Sequence, residues 1–144
     1  MARPRRPFDP KALRHHATSA LRPQLGPSTL VYRYTVFVPV EEVSDGGPAR
    51  PVATSRDLMR LQVLLISHFG GVTFSNAVPS IVGAGARDPR KPKKTIEYNK
   101  HAYFTVYAAA TRASDDYFRA LQKELAEALA EGVILVERQD VLIL

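Results

Sequence analysis

The sequence predicts an α+β fold, in the order β-α-β-β-α-β behind a basic N-terminal arm. Three observations predict it. Two segments, Leu58–Phe69 and Phe118–Leu129, carry apolar residues at helical spacing. Around them lie runs rich in β-branched and aromatic residues. Residues 1–30, by contrast, hold Pro4, Pro7, Pro10, Pro23 and Pro27 and show no sustained alternation. The length of 144 residues suits one ordinary domain.

Residues 1–30 read as an arm, mobile unless a partner holds it, with room for a short helix around Lys11–Leu21. The folded domain is expected over residues 31–144. Val31–Val40 reads as strand one, with Pro39 marking an edge or an end. Residues 41–52, with Asp45-Gly46-Gly47-Pro48, read as a loop. Helix one begins at Thr54 or Ser55, where Thr54 and Asp57 have capping-box spacing. Leu58, Leu61, Leu65 and Phe69 form its stripe; Met59, Val63 and Ile66 widen it, which predicts burial on more than one side. Gly70-Gly71 ends it.

Val72–Asn76 reads as a short second strand, residues 77–95 as a long connection, and Ile96–Ala110 as a long third strand. Ser114 is expected to cap helix two, with Asp115 and Asp116 in its first turn, where the helix dipole favours negative charge. Phe118, Leu121, Leu125 and Ala128 or Leu129 form its stripe, and Gly132 stops it. Val133–Val136 reads as strand four, Glu137–Asp140 as a turn or bulge, and Val141–Leu144 as a further short strand. This order is the ferredoxin-like pattern, which implies a four-stranded antiparallel sheet with both helices on one face.

Such a sheet leaves its other face bare. Along strand three, Ala102, Phe104, Val106 and Ala108 suit the helix side. Glu97, Asn99, His101, Tyr103, Thr105 and Tyr107 take the other, joined from strand one by Tyr32 and Tyr34 or by Phe37. A tyrosine-rich open face calls for a partner. The leading reading is a non-catalytic binding or regulatory module, a homo-oligomer, first of all a dimer, through Glu97, Asn99, His101, Tyr103 and Tyr107.

The second reading is a nucleic-acid-binding protein. The net charge of +6 is concentrated in two places. One is the arm, with Arg3, Arg5 and Arg6; the other is the 87–94 loop, with Arg87, Arg90, Lys91, Lys93 and Lys94. Lys100–Tyr107 matches the RNP1 pattern at Lys100, Phe104 and Tyr107, but places His101 at its glycine and Ala102 at its first stacking aromatic, which argues against an RNA-recognition motif. The third reading is a small enzyme with a cavity between two sheets, His101 as general acid or base and Tyr103 as oxyanion donor. His68, near the end of helix one, reads as a cation favoured by the helix dipole.

The chain has no cysteine, which removes disulfides, thiolate metal sites and thiol nucleophiles. His15-His16 lacks the spacing of a metal site, and no cofactor or metal is expected. Apolar runs are too short to span a bilayer, and residues 1–30 lack the apolar core of a secretory signal, so no membrane partner and a cytoplasmic location are expected.

Overall fold

In a computed structural model, which describes residues 4–16, 18–44, 47–75, 81–86, 90 and 96–144 (backbone alone for 44, 81–86 and 96–99), strand one is longer than expected. It is β1, Thr29–Ser44. After it come β2 (Arg50–Pro51), α1 (Ser55–Phe69), β3 (Thr73–Phe74), β4 (Ile81–Ala86), β5 (Ile96–Ala109), α2 (Arg112–Leu129) and β6 (Leu135–Ile143). The fold is α+β, with a six-stranded antiparallel sheet in place of the four strands expected. β2 lies within the expected 41–52 loop and β4 within the expected 77–95 connection. In β4 the alternation of Gly83, Ala84, Gly85 and Ala86 hid the strand, since small residues carry no β signal.

β1 and β5 form the long central pair, from Val31 opposite Ala109 to Ser44 opposite Glu97. On its other side β5 carries β3 and β4. The other side of β1 carries β6 along Thr29–Phe37, then β2 at Glu41 and Glu42. Pro39 does not end the strand. It sits where the β1–β5 register shifts, between the stretches paired with β6 and with β2; a bulge is where a residue without an N–H fits in a sheet. β6 is one strand, not two short ones around a turn. Its polar middle, Glu137–Asp140, pairs with Tyr32–Thr35.

Thr54 caps α1 through a complete capping box with Asp57, and Gly70 closes it at φ 86°. α2 starts earlier than expected. Its cap is Thr111, while Ser114 is buried and donates 2.6 Å to the Ala109 carbonyl. It also ends earlier, at left-handed Ala130 (φ 54°), before Gly132.

Both helices cover the same sheet face. The ring of Tyr34 stacks on Phe118 at 3.9 Å, and Phe118 on Phe69 at 5.3 Å. Tyr34, Val36 and Val38 of β1 and Ala102, Phe104, Val106 and Ala108 of β5 are buried beneath them. Each large side chain so buried contributes roughly 1.5–3 kcal/mol. The expected second buried side of α1 is not there: Met59, Val63 and Ile66 are exposed.

The arm is held by its own chain. It forms 3-10 turns at Pro10–His16 and Ser19–Leu21, and Phe8, Leu13 and Leu21 belong to the core cluster. Two buried carboxylates, one on each helix, anchor it. Asp57 accepts the Phe8 N–H at 3.0 Å; Glu124 accepts both ends of the Arg6 guanidinium (2.8 and 2.6 Å) and the Asp9 N–H at 3.2 Å. Proline-rich sequence hid this docking, because its signal is isolated apolar residues rather than a period.

Candidate functional site

Side chains alternate across a strand, so the register decides which residues share the face turned from the helices. Phe37 lies directly opposite Tyr103, and Leu135 of β6 opposite Phe37. The next row sets Glu137, Thr35, Thr105 and Thr73 side by side, with the Thr35 and Thr105 hydroxyls 3.1 Å apart. The third sets Gln139, Arg33 and Tyr107 together, with the Arg33 guanidinium donating to the Gln139 side-chain oxygen. Ser75 closes the first row: its N–H donates to the Tyr103 carbonyl at 3.1 Å, and its hydroxyl accepts the Tyr103 N–H at 3.0 Å.

His101, Tyr103, Thr105 and Tyr107 are half-buried on this face, and so is Phe37. Leu135 is 51% exposed. Of the aromatic residues weighed from strand one, Phe37 joins the face. Tyr34 is buried under α2, and Tyr32 shares its side, with the Arg138 guanidinium 4.1 Å from its ring centroid. Glu97 and Asn99 share the alternate positions of β5 with His101, opposite Ser44 and Glu42. His101 stands between Pro39 and Ile81.

The basic residues divide. Arg3, Arg87, Lys91, Lys93 and Lys94 lie outside the described residues, and Arg90 is exposed. Arg6 is committed to Glu124, which raises its pKa above the ordinary arginine value through the hydrogen bond. Arg5 donates to the Pro51 carbonyl. Sequence reasoning missed their neighbours: Arg56 and Arg60, from the first turns of α1, line one cleft of about 480 Å³ with Arg5, Arg6, Thr54 and Asp57. The pair Arg5 and Arg6 and the pair Arg56 and Arg60 come from distant parts of the sequence, and the docked arm unites them.

A second polar cluster lies on the helix side. Tyr34 donates 2.6 Å to Asp115, and Arg138 donates 2.8 Å to its other oxygen, beside a cleft of about 380 Å³. Burial pushes the Asp115 carboxyl up, but the bonds from Tyr34 and Arg138 outweigh it and hold it below the ordinary value. His68, in the last turn of α1, was expected as a helix-end cation, and its surroundings work against that charge. Its ring is 5.6 Å from that of Tyr117, and burial lowers its pKa.

Among the described residues there is no cluster of metal-ligating side chains and no helix long and apolar enough to cross a membrane. No protein-family model, no curated protein and no solved structure matches the chain.

Proposed function

We propose that the chain is a non-catalytic binding module that self-associates, as a dimer first, by stacking the helix-free faces of two sheets. The observation that carries this reading is the row Leu135–Phe37–Tyr103: three large side chains from three adjacent strands, on a face that no helix of the described residues covers. Apolar rows of this kind gain when water leaves them, and tyrosine adds a hydroxyl that can bond across an interface. We read the β6-β1-β5-β3 part of the sheet as a ferredoxin-like core extended by β2 and β4; its antiparallel pairings support that reading. Hydroxyl-radical footprinting at low and high protein concentration tests the stacking. Tyr103 and Tyr107 become protected as concentration rises; equal labelling at both contradicts it.

A second reading, nucleic-acid binding, is favoured by the cleft that sets Arg56 and Arg60 beside Arg5; Arg6 lines the same cleft but is held by Glu124. Guanidinium groups suit phosphate oxygens, and releasing counterions makes such binding steeply salt-dependent. Anisotropy of a labelled single-stranded RNA, titrated at two salt concentrations, decides it. Binding that weakens with salt and with Arg56→Ala and Arg60→Ala supports this reading; binding indifferent to both removes it.

A further inference from the structure

The edge of β6 presents a second surface. Among the described residues β6 has one strand neighbour, β1, so one side of a nine-residue strand has no backbone partner. Long edges are ordinarily blunted by charged side chains, lysine above all, by proline or by a bulge; on β6 the charges, Glu137, Arg138 and Asp140, are of both signs. Leu135–Ile143 has no lysine or proline and pairs with β1 in unbroken register. Exposed apolar side chains stand toward both ends, Leu135 at 51% and Leu142 at 56%, with charge in the middle.

We propose that two copies of this chain join their β6 edges antiparallel, about a two-fold axis through Gln139. The sequence LVERQDVLI is close to palindromic in character, and this register uses that. It sets Leu135 against Ile143 of the second copy, Val136 against Leu142, and Arg138 against Asp140. The symmetry repeats every pair. Apolar meets apolar at both ends, opposite charges meet twice beside the axis, and Gln139 meets itself. Glu137 against Val141 is the one unlike pair. Arg138 and Asp140 already stand 3.2 Å apart within one chain, on the same side of the strand. Pairing therefore brings four alternating charges together, and the Asp115 carboxylates join them through Arg138. A two-fold axis across the edge keeps both helix layers on one side, so the opposite face of the joined sheet stays open. The proposal does not rest on the stacking of that face.

The test is made in a Tyr103→Glu chain, where stacking is disabled. Its solution mass by light scattering is expected to be that of a dimer; a monomer overturns the proposal and leaves face stacking untouched. Adding either Asp140→Arg or Arg138→Asp places like charges opposite each other and weakens the dimer by about tenfold or more. Mixing those two variants restores opposite charges at both pairs and is expected to restore the dimer; two monomers that stay apart overturn the register. Since Arg138→Asp also removes a bond to Asp115, thermal melts establish that each variant is folded. A second measurement, in the same Tyr103→Glu chain, needs no charge change on β6. The chain has no cysteine, so Gln139→Cys introduces a single thiol on the axis. Mild oxidation is expected to join two copies through it, while a chain with Lys123→Cys on α2 instead stays uncrosslinked. No more crosslinking at 139 than at 123 counts against the pairing.

Discussion

The Tyr34 hydroxyl donates a 2.6 Å hydrogen bond to the Asp115 carboxylate, tying the middle of β1 to the first turn of α2. Tyr117, two residues further along the same helix, is fully buried, and its hydroxyl has no partner among the described residues. The two tyrosines therefore respond oppositely to loss of the hydroxyl. Tyr34→Phe is expected to cost about 1.5–3 kcal/mol, a bond to a charged acceptor. Tyr117→Phe removes an unsatisfied group and is expected to stabilise by about 1 kcal/mol. Urea unfolding of both variants checks the contrast; equal destabilisation contradicts it.

Both phenols should also ionise late. Burial, then the bond to Asp115, pushes Tyr34 up, and burial alone pushes Tyr117 up. Spectrophotometric titration is expected to show two tyrosines that remain protonated well past the ordinary value of about 10.

Docking of the arm gives a further prediction. Phe8 is completely buried although it lies between two prolines and a charged pair. Phe8→Ala is expected to destabilise the whole chain by about 3 kcal/mol. Glu124→Ala, which frees Arg6 and the Asp9 N–H, costs about 2 kcal/mol. If the arm is instead a tail, neither change moves the thermal midpoint.

Acid should weaken the fold in two windows. His68 has a folded pKa below its unfolded value, so protons prefer the unfolded chain. Its contribution is complete above about pH 6.5 and declines as pH falls below that. Asp115 is also depressed, so its contribution is complete above about pH 4 and is lost as pH falls through the folded value. His68→Gln is expected to flatten the first decline and leave the second. A stability profile level from pH 7 to 5 in the wild type rules out the first.

The parts legible in the sequence were those with a period or a cap. The stripe Leu61, Leu65 and Phe69, the Thr54–Asp57 box and the Gly70 stop stand where spacing and chemistry put them. So do the two faces of β5, because strict alternation from Ala102 to Ala108 fixes them. What stayed hidden depends on distant partners. Met59, Val63 and Ile66 look like core in a helix read alone, and only the fold shows that nothing covers them. Thr111 outcompetes Ser114 as cap because Ser114 bonds to the Ala109 carbonyl. The choice of Phe37 over Tyr34 for the open face needed the parity of β1 against β5, and the arginine cleft needed the arm laid against α1.

Sedimentation of two chains settles whether the bare sheet face is the working surface. Asp140→Arg weakens pairing at the β6 edge; Asp140→Arg with Tyr103→Glu weakens that edge and disables the open face as well. The first is expected to sediment as a dimer at micromolar concentration and the second as a monomer. The same mass for both, at every concentration, contradicts self-association through Phe37 and Tyr103.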